Sequence, residues 1–387
     1  MNIKYPLAKE TINKEDIDSL CDWLKSYPRL TQGPLTKEVE LSWAEHIGTK
    51  YAIFNNSGSS ANLLMIYAAM MAGRIKNKKI AVPSVGWCTT IAPAMQLGLE
   101  PIMVGADKDT FGMDLDQLEE LCKTDSPDAV IFVQVLGVPH YKERLLSLKE
   151  KYGFILLEDA CAALGSKYSD GTMVGAVGDM SSFSFYFGHQ LSTIEGGMVN
   201  TNDKELYQIL QMIRSHGWAK DLDKDTYNNL IGKYKIDDFH KAFCFFLPGF
   251  NLRATDLQAF IGLRQIKRAK HTAQARHKNH LRYASQLKGH VDFQHWGNDY
   301  PVSISFGALA KSKDHRKQIV NRLVENSIET RIFSAGNLGR HPFWFNKYGV
   351  FKDDVSDKIH DKGFFLPNYP ELQYEEIDFI CDAVKKA

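Results

Sequence analysis

The chain has 387 residues, 44% of them apolar and 24% charged, and its 47 Lys and Arg against 46 Asp and Glu leave a formal net charge of +1. This is the ordinary globular mix, and the balance excludes a protein whose main work is coating nucleic acid or an anionic membrane. No stretch approaches the roughly 20 apolar residues of a membrane span. The opening Met-Asn-Ile-Lys-Tyr-Pro lacks an apolar signal core. The six cysteines (Cys21, Cys88, Cys122, Cys161, Cys244 and Cys381) contain no Cys-x-x-Cys pair. Both features point to a cytoplasmic protein with reduced thiols and no ligand set for zinc or an iron–sulfur cluster.

A short helix is expected around Lys14–Ser26, before a Pro- and Gly-containing turn region. From Tyr51 to about Asn200, apolar runs alternate with helical periodicity. Lys79–Val82, Ala129–Leu136 and Phe154–Leu157 read as buried strands; Ala61–Met71, Leu115–Cys122 and Lys142–Tyr152 read as helices. This alternation implies a mainly parallel sheet covered on both faces, with ligands at the carboxyl ends of its strands. A helix is expected at Lys204–Arg214. The segment Leu263–Lys288 is basic throughout, with Arg264, Lys267, Arg268, Lys270, Arg276, Lys278, Arg282 and Lys288 and no acid. Apolar Ile266, Leu281 and Tyr283 punctuate it, so it reads as the solvated face of a long connecting helix rather than a polyanion patch. Beyond it, a strand at Val302–Phe306 and helices at His315–Asn326 and Tyr374–Val384 suggest a smaller α+β domain. The division falls at residues 1–260 and 261–387.

Four segments carry candidate chemistry. Phe54-Asn-Asn-Ser57-Gly58-Ser59-Ser60-Ala61 follows a strand and opens a helix, where small residues let N–H groups approach an anion. Ser and Asn at a helix start also serve as plain caps. Ile155-Leu-Leu-Glu158-Asp159-Ala-Cys161 places two acids at a buried strand end, where one could hold a protonated ring nitrogen or merely cap the next helix. Phe183-Ser184-Phe185-Tyr186-Phe187-Gly188-His189-Gln190 is an aromatic strand running into a polar turn that ends at Glu195-Gly196-Gly197. Gly249-Phe250-Asn251-Leu252-Arg253-Ala254-Thr255-Asp256 is a turn entering a helix.

In this order and spacing the four segments resemble the sugar aminotransferase (DegT/DnrJ/StrS) branch of the fold type I pyridoxal-phosphate enzymes. The resemblance runs from Leu30-Thr-Gln-Gly33 to Leu366-Pro-Asn-Tyr-Pro370. It implies an aspartate aminotransferase-like α/β large domain with a mainly parallel sheet and a smaller C-terminal α+β domain. It also implies roles for individual residues. The N–H groups of Gly58, Ser59 and Ser60, with Ser184, would bind the phosphate of pyridoxal 5'-phosphate. Trp87 would stack on the pyridine ring, and Asp159 would pair with the ring nitrogen and keep the ring an electron sink. Active sites of this family lie at a homodimer interface, so Asn251 would reach the neighbouring subunit's phosphate. Arg331 would bind substrate, with Arg253 a lesser candidate for a carboxylate or sugar contact.

One departure decides the reading. The family's lysine, which bonds the cofactor covalently, stands six residues before Glu-Gly-Gly; here that position is His189. No lysine occurs between Lys167 and Lys204 to replace it. Imidazole cannot form that bond, but it can act as a general base, with a reference pKa of about 6.5. The exchange resembles the GDP-4-keto-6-deoxymannose 3-dehydratase subgroup, which is also similar around Ser57–Met65, Trp87–Thr90, Arg214–Trp218, Phe246–Gly249 and Gly336-Asn337. A sister subgroup with the same exchange uses an iron–sulfur cluster, for which these cysteines have no recognised spacing.

The resemblance then implies a non-covalently held cofactor and an L-glutamate-dependent reaction in deoxysugar synthesis for surface polysaccharide. Glutamate would supply the amino group that makes pyridoxamine 5'-phosphate. His189 would move the proton that lets a keto sugar lose the hydroxyl beside its carbonyl. Two positions depart from the subgroup: Gln190 stands where it has a second histidine, and Ala162 where it has an acid. Two other readings remain open. One is a glutamate-dependent aminotransferase of a keto or aldehyde sugar, such as an oxidised octulosonate of lipopolysaccharide. The other is an inactive cofactor-binding homologue.

Overall fold

The structure is a computed structural model, and it describes residues 3–387. The elements run in the order α1 (Lys14–Leu24), α2 (Pro34–Ile47), β1 (Tyr51–Asn55), α3 (Gly58–Met71), β2 (Lys79–Pro83), α4 (Cys88–Gln96), β3 (Glu100–Val104), α5 (Leu115–Thr124), β4 (Ala129–Val133), α6 (Lys142–Tyr152), β5 (Ile155–Asp159), β6 (Met180–Ser184) and β7 (Gly197–Thr201). They continue with α7 (Lys204–Arg214), α8 (Lys224–Tyr234), α9 (Asp256–Leu287), β8 (Asp292–Phe293), β9 (Ser305–Leu309), α10 (Lys313–Glu325), α11 (Pro342–Tyr348), α12 (Asp354–Lys362), β10 (Gly363–Pro367) and α13 (Tyr374–Lys385).

The first seven strands form one sheet in the order β1-β7-β6-β5-β4-β2-β3. Strands β2 to β6 pair in parallel, and β7 alone runs against its neighbours β6 and β1. The sheet is therefore mainly parallel, as its apolar runs predict. Every residue of β4 and β5 is buried, which is what a sheet covered on both faces requires. One core joins the sheet to α3, α4 and α7 through residues such as Leu64, Ile91 and Leu210. A second lies on the other face under α5 and α6. Because one strand alone is reversed, Asn55, Pro83, Val133, Asp159 and Ser184 all end on the same edge.

A three-stranded antiparallel sheet, β10-β9-β8, forms the smaller unit with α10 and α13. Helix α9 serves both units. Its early residues Ala259 and Ala269 pack with Val39 and Trp43 of α2, and its last turns, with Tyr283 and Leu287, pack in the small unit. The position 260/261 lies inside this helix. The basic residues of Leu263–Lys288 divide, and the solvated-face expectation holds only for the lysines: Lys267, Lys270, Lys278 and Lys288 are exposed, whereas Arg264 and Arg268 bind Asp16, Arg282 binds Asp378, and buried Arg276 donates to the carbonyls of Ile304 and Asn368.

Two strands, β4 and β9, differ from the sequence expectation by more than two residues. Strand β4 stops at Val133 because the chain turns at Val135–Gly137, where Leu136 has a φ of 58°. Strand β9 starts at Ser305, not Val302. The Val302 N–H donates to the Ser166 hydroxyl (2.9 Å) and the Ile304 N–H to the Leu136 carbonyl (3.1 Å), so neither joins a strand ladder.

Candidate active site

A cavity of about 520 Å³ opens where the carboxyl edge of the large sheet faces the small unit. Helix α3 begins at its floor. Ser57 caps the helix by accepting from the Ser60 N–H at 3.1 Å. The N–H groups of Gly58 and Ser59 are left as first-turn donors with no intrahelical acceptor, and the helix dipole adds to their pull on an anion. Gly58 lies against the end of β6. A Cβ there would meet Ser184 Cβ at 2.5 Å and Cys161 Sγ at 3.1 Å, so only glycine allows the helix start and the strand end to approach this closely. Gly58, Ser59 and Ser184 line the cavity together. Ser60 stands apart, with its N–H used by the cap.

Asp159 ends β5 and is buried. Its Oδ2 accepts from Asn62 Nδ2 (2.9 Å) and Thr90 Oγ1 (2.6 Å), and its Oδ1 accepts from the Cys161 N–H (3.1 Å). Three donors stabilise the carboxylate and fix its direction, which a buried charge requires. Sequence reasoning did not single out Asn62 and Thr90 for this task. Asn62 did leave a signal: it is a polar residue on the buried side of an otherwise apolar helix.

Trp87 and Arg331 form the opposite wall. The Arg331 guanidinium lies 5.4 Å from the Trp87 ring and 5.1 Å from the Phe365 ring. Its one hydrogen bond runs to the Ser334 carbonyl at 3.3 Å, and it makes no ion pair among the described residues. A guanidinium on aromatic faces, without a carboxylate of its own, is suited to take one from a ligand.

His189 enters the same cavity from the loop after β6. Its N–H donates to the Tyr186 carbonyl at 2.9 Å, and its Nδ1 is buried without a partner. Burial pushes the imidazole down to about 4; Asp159 opposes the shift, and Arg276 and Arg331 reinforce it. The ring is therefore a neutral base across the physiological range. No lysine lines the cavity.

Asn251 and Arg253 do not line it. Asn251 pairs with the backbone of Ser215, is exposed, and accepts from Arg253 Nε at 3.2 Å. The remaining residues of the proposed set, apart from Ser60, converge on one cavity. They suit pyridoxal phosphate in three ways: a helix-start cup whose glycine cannot carry a side chain, a buried carboxylate held by three donors, and a buried ring nitrogen with no partner.

The profile of the DegT/DnrJ/EryC1/StrS aminotransferase family matches residues 10–385. The chain belongs to this family. It is 33% identical to GDP-4-keto-6-deoxy-D-mannose 3-dehydratase of Yersinia pseudotuberculosis, with 99% of each chain covered. A crystal structure of GDP-4-keto-6-deoxymannose-3-dehydratase, a histidine-to-asparagine variant with bound GDP-perosamine, superposes with a TM-score of 0.91 at 32% identity, covering 99% of this chain and 100% of that one. A second structure of that dehydratase, with a trapped PLP-glutamate geminal diamine, gives 0.90 at 31% identity over the same shares. The fold is that of the fold type I pyridoxal-phosphate enzymes, and these relatives are pyridoxal-phosphate-dependent sugar enzymes. Among the described residues no helix is long and apolar enough to cross a membrane.

Proposed function

We propose that this chain is a 3-dehydratase of a nucleotide-linked keto-deoxysugar that uses L-glutamate and works with pyridoxal and pyridoxamine phosphate. The observation that carries the reading is His189: a neutral imidazole occupies the cavity that holds Asp159 and the Gly58 cup, and no lysine lines it. The cofactor, when bound, supplies an electron sink for charge that develops beside it. The chain does the rest. Gly58 and Ser59 bind a phosphate dianion at the α3 dipole, with Ser184 alongside. Asp159 holds a cationic ring nitrogen, and Trp87 covers the ring. His189 would take the proton from the carbon that joins cofactor and amine and pass it to the neighbouring hydroxyl, which would leave as water. Arg331 takes the carboxylate of glutamate or an anionic group of the sugar nucleotide. Leu136, Ile304 and Phe365 exclude water from the inner wall.

Asn251 and Arg253 lie outside their own cavity, and this supports a homodimer in which they serve the neighbouring site. Residues 1–260 would form the large cofactor-binding domain with an N-terminal arm, and residues 261–387 the connecting helix and the small C-terminal domain. On this reading the reaction takes place in the cytoplasm and supplies deoxysugars for surface polysaccharide.

The test is to feed L-glutamate, pyridoxal phosphate and GDP-4-keto-6-deoxymannose and follow the nitrogen. Ammonia released one-for-one with 2-oxoglutarate is the expected result. Nitrogen retained in the sugar would make the protein an aminotransferase. A cofactor spectrum that responds to neither substrate would make it an inactive binder.

A further inference from the structure

We infer that Gln190 is the positioning residue of this site: its carboxamide pins the loop that carries His189 to the seam between the large and small units. The inference rests on His189 as the base. Gln190 is fully buried and does not line the cavity, yet it is the next residue to the imidazole. Its Nε2 donates to the Ala162 carbonyl at 2.6 Å and the Val302 carbonyl at 3.0 Å. Ala162 follows β5 in the large unit, and Val302 leads into β9 of the small one.

The acceptor end of this clamp is rigid. Gly137, with a φ of +88°, lies against both carbonyls; a Cβ there would meet the Ala162 oxygen at 2.3 Å and the Val302 oxygen at 2.7 Å. Ser166 Oγ donates to the Gly137 carbonyl at 2.7 Å and accepts from the Val302 N–H. The Ile304 N–H donates to Leu136, and Arg276 donates to the Ile304 carbonyl at 3.0 Å. The returning half of the loop is held by Leu191, buried in the core with Trp43 and Ala259, and by Gln258 Nε2, which donates to the Glu195 carbonyl at 2.5 Å. The Thr193 N–H to Phe185 carbonyl bond (2.9 Å) closes its base, and the Tyr186–His189 turn sits at its tip. Among the described residues, the Gln190 amide makes the only side-chain hydrogen bonds from residues 186–190 to the rest of the fold.

The side chain suits the task. A primary amide has two N–H donors for two carbonyls and carries no charge. A carboxylate would repel both carbonyls, and a cation would place a new charge beside the base. The charged and titratable groups that face His189 are Asp159 from β5, Arg276 from α9 and Arg331 from the small unit, with Cys161, Tyr186 and Glu195 on the same cavity wall. None is altered by a change at Gln190.

The test uses Gln190→Met and Gln190→Asn in the full chain loaded with pyridoxal phosphate. Gln190→Met keeps the bulk and removes both donors; Gln190→Asn keeps a neutral amide on an arm one methylene shorter. In Gln190→Met, kcat should fall by about 10- to 100-fold, as for a small misplacement of a reacting group. Cofactor affinity, read from its absorbance, should not change. Loosening the loop admits water to the imidazole, so the acid limb of kcat/KM should rise from near 4 toward 6.5. Gln190→Asn should lie between, and it carries the same test if Gln190→Met does not fold. A role in stability alone would lower the folded fraction and leave the acid limb in place. An unchanged acid limb and kcat per loaded enzyme overturns the clamp. Wild-type turnover in a His189→Asn variant would instead overturn the base, whatever Gln190 does.

Discussion

Two walls of the cavity, one made of strand ends and one made of a loop, are built on opposite terms. The wall of strand ends and helix start is fully engaged: Asp159 has three donors, Ser57 caps α3, and Gly58 is locked against Ser184. The wall formed by residues 186–195 is a loop. It leaves His189 Nδ1 unpartnered, exposes Tyr186 and Phe187, and holds Ile194 at a φ of 73°, a conformation costly for a β-branched residue. The difference separates binding from reaction. Groups that hold a fixed anion and a fixed ring gain from complete hydrogen bonding. A group that must take and pass on a proton needs an uncommitted nitrogen in a dry place.

The contrast can be broken first at the loop. His189→Asn should lower kcat by about 10²- to 10⁴-fold, the usual worth of a general base, with pyridoxal phosphate still bound. Loss of cofactor binding in that variant would show that the loop is part of the binding wall. The same contrast sets the pH response. Burial holds the His189 imidazole near 4, so the neutral base persists down to that pH, and the acid limb of kcat/KM should lie well below 6.5.

Next in size is the binding wall. Gly58→Ala forces a Cβ into Ser184, which should cost about 1–3 kcal/mol of stability and weaken cofactor binding about tenfold or more. Equilibrium titration with pyridoxal phosphate and denaturant unfolding measure the two effects. Unimpaired binding in a folded Gly58→Ala protein would remove the helix start from the cup.

The smallest effect lies far from both walls. Burial pushes the Asp16 carboxyl up, but hydrogen bonds from Arg268 and Arg264 outweigh it and hold it down at about 2, below the ordinary 3.8. A depressed carboxyl stabilises the fold above its unfolded value, so this contribution is complete above about pH 4 and lost as the pH falls toward 2. Asp16→Asn should cost roughly 1–2 kcal/mol in denaturant melts at pH 7 and leave turnover per folded molecule unchanged. A turnover change would mean that α1 and α9 report to the cavity.

The alternation of apolar runs made the parallel sheet legible, because strands buried on both faces must be apolar throughout. The single reversal at β7 was not, since buried parallel and antiparallel strands carry the same apolar signal. The ends of β4 and β9 were misplaced for a related reason: Val302 and Ile304 look like strand residues, but their N–H groups bind the Ser166 hydroxyl and the Leu136 carbonyl. The basic stretch of α9 reads as a solvated helix face, which holds for its exposed lysines; Arg264, Arg268 and Arg282 instead pair with Asp16 and Asp378, far away in the chain.

The amino-acid sequence by itself determined the sheet class, the family and the exchange of lysine for His189, because each is a matter of residue type at a fixed spacing. Only the tertiary structure decided which groups surround that histidine. Asn62, Thr90 and Gln190 act through partners 97, 69, 28 and 112 positions away. No local pattern encodes such partners: a side-chain hydrogen bond needs two groups at about 3 Å, and only the packing of sheet, loop and small unit sets that distance.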